Sequence, residues 1–192
     1  MKNWKLILGL LILAIMMLGC TKINPLGCNA APKNKKLIVY YSLTGNTKFV
    51  AEQIQSLTGA DVFELKLVDP YPVEFDAMIE RARNEHESGY RPALINSIKN
   101  LSAYDVIFIG SPNWFGTQSI PILAWLESHD LSGKTIIPFV TFGRGGLQNT
   151  VTDLKTLLPN NTILEEFGVF RDDVKDSQTA ISQWLDKIGM LK

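Results

Sequence analysis

Cysteine is nearly absent. The 192-residue chain has only Cys20 and Cys28, both before residue 37, so the rest of the chain has no disulfide framework. Histidine is as scarce: His86 and His129 stand apart. No His general acid, Ser–His–Asp arrangement or metal-ligand spacing is evident. The GxxxxGK[ST] loop of nucleoside triphosphate sites is missing, and so is the dinucleotide GxGxxG. There is no basic excess either: 19 basic residues balance 19 acidic ones. The balance is uneven. Residues 1–36 hold six Lys and no acid, which leaves 13 basic against 19 acidic residues from Leu37 onward. A basic tail therefore precedes an acidic domain. Such a domain argues against nucleic acid as partner and suits electrostatic steering onto positive patches of other proteins. The length allows one domain with a full core.

Lys2 and Lys5 precede an apolar run over residues 6–19. Fourteen residues is short for a membrane span and suits a signal h-region. The run ends in Leu18-Gly19-Cys20, which resembles a bacterial lipoprotein signal. That resemblance implies cleavage before Cys20, a lipid on its sulfur, and an exported protein anchored to the membrane of the cell envelope. An uncleaved anchor, or cleavage elsewhere, is the other reading. Residues 20–36, rich in Asn, Pro, Gly, Ala and Lys, read as a flexible tether with little to bury. The division is thus a signal segment 1–19, a tether 20–36 and a domain 37–192.

The domain opens on its most informative stretch, residues 37–57. Leu37, Ile38, Val39, Tyr40 and Tyr41 predict a buried strand. Val50, Ile54 and Leu57 then recur at helical spacing, with Ala51 beside them. Between them lies a small polar loop: Ser42, Leu43, Thr44, Gly45, Asn46, Thr47. Three hydroxyls in front of a helix N-terminus can wrap a phosphate, because the first backbone N–H groups there lack partners. Gly45 permits the tight turn and close approach to a ligand. The alternative is a capped turn that binds nothing.

This loop resembles the first loop of the flavodoxin family, [ST]-x-T-G-x-T after an apolar strand. The resemblance implies that Ser42 to Thr47 hold the phosphate of FMN without a metal and largely without cationic side chains. Further on, Asp61 to Val68 alternates like a half-exposed strand. A Tyr71-Pro72 and a helical stripe of Phe75, Met78, Ile79 and Ala82 resemble an extension seen in one flavodoxin branch. Arg81, Arg83, Glu85 and Glu87 read there as a solvated helix face. Asp105 to Gly110 predicts an apolar strand and Ser111 to Thr117 a loop. A helix follows near Ser119, with Pro121 in its first turn. Thr135 to Phe142 predicts another strand, although Pro138 inside it needs a bulge or an unpaired slot. A glycine-rich loop at Gly143 to Gly146, a helix, the strand Thr162 to Phe170 and a last helix complete the chain.

Strand–helix alternation calls for a parallel α/β sheet. The expected fold is flavodoxin-like and doubly wound, with five strands in the order 2-1-3-4-5 and the three all-apolar strands inside. That order brings the loops after strands one, three and four to one end. The loops of Pro112, Asn113, Trp114, Phe115 and Gly116 and of Phe142, Gly143, Arg144 and Gly145 would then sandwich the flavin ring, with Trp114, Phe115 and Phe142 as aromatic walls; the resemblance puts the N–H groups of Gly143 to Gly145 on the ring's O2, and Arg144 stands near its pyrimidine end or faces solvent. The resemblance also makes the Gly116 carbonyl, with Asn113 as rival, the group that turns toward N5 of the flavin. The expectation is an FMN-binding electron carrier serving redox partner proteins at the membrane. The alternatives are an FMN-dependent NAD(P)H quinone or azo reductase, and a lipoprotein that binds a ligand without redox chemistry.

Overall fold

The computed structural model describes residues 34–192. The signal segment, Cys20 and the tether up to residue 33 lie outside the described residues. β1 (Lys36–Tyr40) leads into α1 (Asn46–Thr58) and β2 (Asp61–Glu64). α2 (Phe75–Ser88), β3 (Val106–Trp114), β4 (Thr117–Gln118) and α3 (Ile120–Glu127) follow. β5 (Thr135–Phe142), α4 (Thr150–Leu157), β6 (Thr162–Ile163), β7 (Phe167–Phe170) and α5 (Gln178–Lys187) complete the domain.

The sheet runs β2-β1-β3-β5, with β6 and β7 both against the outer side of β5, and all of these pairs are parallel. This is the expected 2-1-3-4-5 order: β5 is the fourth strand, and the fifth is divided between β6 and β7. The apolar strands β1, β3 and β5 are the inner ones. Each alternates its side chains between two covered faces, as a strand buried on both sides must. Ile38, Phe108 and Ile137 pack with Val50 and Ile54 of α1 and Ile181 and Leu185 of α5. Leu37, Val39, Ile107 and Ile109 pack on the other face with Met78 of α2, Trp125 of α3 and Leu154 of α4. Pro121 stands in the first turn of α3 behind Ser119, as its lack of a backbone N–H favours.

Pro138 is accommodated by a bulge. Ile136 faces Ile163, but Phe139 faces Phe167, so two residues of β5 oppose three of the partner. Leu164 donates its N–H to Ile136 O at 2.9 Å on this side. By alternation Pro138 turns its nitrogen to the same side, where the ladder is already broken and no acceptor is wasted. The strand expected over residues 162–170 is split at this point. The outer strand expected over 61–68 also stops early, at Glu64, beyond which Leu67 makes only an isolated antiparallel bridge to Leu94.

The loop expected from Ser111 to Thr117 is instead a β-hairpin. β3 runs on to Trp114 and pairs antiparallel with β4 through Asn113–Gln118 and Trp114–Thr117. Phe115 and Gly116 form its turn with φ of 55° and 88°, the signs of a type I′ turn. Ser111 Oγ closes the hairpin base by accepting the Ser119 N–H at 2.8 Å.

Candidate functional site

The carboxyl ends of β1, β3 and β5 surround a cavity of about 260 Å³. Most of its lining comes from three segments that are far apart in sequence. Leu43, Thr44, Asn46 and Thr47 follow β1; Pro112, Asn113 and Trp114 end β3; Phe142 and Gly143 end β5. This is the switch point of a doubly wound sheet, where successive connections leave on opposite faces and a crevice opens.

The first loop is built to receive an anion. The ladder of α1 begins at Phe49, whose N–H donates to Gly45 O at 2.9 Å. Among the described residues, the backbone N–H groups of residues 42–48 have no hydrogen-bond acceptor within the protein. Gly45, at φ 87°, makes the turn into the helix, a conformation that strains any residue with a Cβ. Ser42 Oγ is buried without a partner, and Ser42 lines a neighbouring cavity with Tyr41 and Tyr71 rather than this one. Thr47 is buried and shares a 2.9 Å hydrogen bond with Thr141 Oγ1 on β5. That bond fixes the loop to the centre of the sheet.

Trp114 and Phe142, two of the three aromatics expected around the ring, line the cavity. Trp114 stands edge-on to Tyr71 and Tyr41, with ring centroids 5.0 and 5.7 Å away. Burial pushes the Tyr41 and Tyr71 phenols well above their ordinary pKa, so both rings stay neutral. Phe115 does not join this wall. The turn points it to the other side of the hairpin, where its ring stacks on His86 at 5.4 Å. There it lines a separate cavity of about 450 Å³ with Gly116, Arg91 and Asn149. Gly116 is not free to rotate: its carbonyl accepts the Asn149 N–H at 2.9 Å, and its N–H donates to Asn113 Oδ1 at 3.0 Å. Asn113 is committed as well, because Nδ2 donates to Gly146 O at 2.6 Å. Arg144 and Gly145 are exposed and do not line the cavity.

Five further residues line it: Phe75, Met78 and Ile79 of α2, Thr141, and Arg171 just beyond β7. The helical stripe of α2 is visible in the sequence, but its position over the cavity is not. Arg171 could have been found by one rule, that ligands sit beyond the carboxyl ends of the strands, applied to the last strand as well.

The helix face of α2 corrects another expectation. Glu85 is buried, accepts a short hydrogen bond from the Tyr71 hydroxyl, and pairs with Arg81 Nε at 2.9 Å. Arg81 also donates to the carbonyls of Asp69 and Pro70 and covers the Tyr71 ring at 4.7 Å. These residues anchor the segment that supports Trp114.

A parallel doubly wound sheet with an open anion cradle and an aromatic wall at its switch point defines a nucleotide-type binding fold. Comparison narrows the class. A family model described as flavodoxin matches residues 35–188, and the chain belongs to the flavodoxin family. Among solved structures, the chain is similar to a protein described as a flavoprotein from Bacteroides eggerthii DSM 20697. The two are 31% identical, with a TM-score of 0.71, over 81% of this chain and 98% of the other. A counterpart from Bacteroides uniformis ATCC 8492 is 28% identical, with a TM-score of 0.71, over 80% and 98% of the two chains. A flavoprotein in complex with FMN, from Lactobacillus acidophilus NCFM, is 24% identical, with a TM-score of 0.60, over 76% and 99%.

Proposed function

We propose that the chain is an FMN-binding electron carrier, held at the bacterial cell envelope by a lipid on Cys20 and exchanging electrons with protein partners. The observation that carries this reading is the run of partnerless N–H groups at residues 42–48, opening beside a cavity walled by Trp114. The cradle fits a phosphate monoester: it offers backbone donors and the positive end of α1. The adjoining cavity, with Trp114, Phe142 and Met78, fits a flat apolar ring. Bound there, FMN would supply a ring system that takes up and returns electrons. The protein's part would be to hold the phosphate at the cradle of residues 42–48, wall the ring with aromatic side chains and set the charge around it. The commitment of Gly116 and Asn113 to Asn149 and Gly146 argues for a rigid ring site rather than one that rearranges.

A second reading, an FMN-dependent NAD(P)H quinone or azo reductase, draws on the 450 Å³ cavity across the hairpin, which could take a second substrate. Full-length protein titrated with FMN, then reduced anaerobically with dithionite and separately mixed with NAD(P)H, distinguishes the two. The carrier reading expects tight binding, stepwise uptake of single electrons and negligible NAD(P)H oxidation. Rapid NAD(P)H oxidation would favour the reductase. No flavin binding would overturn both and leave a lipoprotein that binds some other ligand.

A further inference from the structure

The flavodoxin resemblance implies a phosphate site largely without cationic side chains, yet this cavity contains one. Among the described residues, Arg171 is the only charged one that lines it. Its backbone N–H donates to Phe142 O at 2.8 Å, which pins it beside the end of β5. Its ion-pair partner among the described residues is the adjacent Asp172, at 3.4 Å, and both side chains are more than half exposed. A pair this open leaves the guanidinium available. Beyond Arg171 the chain passes through Val174, which packs with Val50, Ala51 and Ile54 of α1 and with α5. Arg171 therefore leaves the sheet toward the face covered by α1, the helix whose first turn carries the open N–H groups.

We propose that Arg171 is a specificity-determining residue that recognises the phosphate of the bound flavin, and so makes the site prefer FMN over unphosphorylated riboflavin. The inference rests on the flavin reading above. The cradle of residues 42–48 supplies neutral donors from one side, and the guanidinium adds a charge-assisted donor pair from the other. A planar fork of N–H groups matches phosphate oxygens, whereas it gains little from a ribityl hydroxyl.

The test is a fluorescence titration of full-length protein with FMN and with riboflavin, for wild type, Arg171→Gln and Arg171→Lys. Arg171→Gln is expected to weaken FMN binding by about tenfold or more, the usual effect of losing one charge-assisted contact, and to leave riboflavin affinity within about twofold. Unchanged riboflavin binding shows that the variant is folded. Arg171→Lys should fall between, and the salt dependence of FMN binding should flatten in Arg171→Gln. Equal losses for both flavins would overturn the proposal, because the guanidinium would then act on the ring. FMN binding undiminished in Arg171→Gln would overturn it too, with the flavin reading intact. A wild type that binds neither flavin would overturn the flavin reading and this assignment with it.

Discussion

Gly110 shows how tightly the switch point is built. It ends the apolar half of β3 and faces Phe139 of β5. A Cβ there would stand 2.1 Å from the Phe139 ring, so the ring occupies the space that a side chain would need. Gly110→Ala is expected to destabilise the fold by about 1–3 kcal/mol, the usual cost of overpacking. The measurement is a lowered urea midpoint with an unchanged slope. Phe139→Leu in the same chain shortens the clashing group and should recover part of the loss. Gly45 is a different case, because nothing lies near its missing Cβ and only its positive φ demands glycine. The Thr-Gly-Asn pattern around Gly45 was legible in the sequence. The need for Gly110 was not, since it depends on a ring 29 residues away in sequence but adjacent across the sheet.

At the level of elements, the stretch between the end of β2 and α2 is tied down by a small polar network. Glu85 accepts from both Tyr71 and Arg81, and its side chain is only 9% exposed. Glu85→Ala would leave a buried hydroxyl and a partly buried guanidinium without their acceptor. The expected loss is about 2 kcal/mol, within the range for stranding buried polar groups. Because Trp114 rests edge-on against Tyr71, its fluorescence should shift in the same variant even where the fold persists. Charged residues spaced along a helix gave no sign that one of them was buried, which is why this face read as solvated. The hairpin after β3 was hidden for a related reason. Its turn is Phe-Gly, where the residues most suited to a type I′ turn are Asn-Gly, and two aromatics next to a glycine read more simply as a binding loop. The five strands and their order were legible because apolar runs separated by helical stripes leave few topologies. Where each strand ends was less so, because the ends depend on partners across the sheet.

Considered whole, the molecule couples ligand binding to folding. The proposed site draws on loops after β1, β3, β5 and β7 and on α2, so its occupation ties together parts of the chain that separate on unfolding. Ligand bound only by the native state stabilises it by about 2.7 kcal/mol at a hundredfold excess over Kd. FMN at that excess is therefore expected to raise the thermal midpoint by several degrees, measured by circular dichroism. Inorganic phosphate, which meets the cradle alone, should give a smaller rise. The bulge opposite Pro138 bears on the protein's life among other proteins. An outer strand with a regular row of free N–H and C=O groups invites a stranger's strand to add to it, and from there fibrils can grow. Here that border is broken into β6 and β7, and the Glu165 carbonyl between them is taken by the Trp184 indole N–H at 3.0 Å. Lys187 holds the Glu165 carboxylate above it at 2.6 Å. This edge of the sheet thus offers no continuous template, and a crowded neighbour finds a charged pair where it would need an unpaired strand.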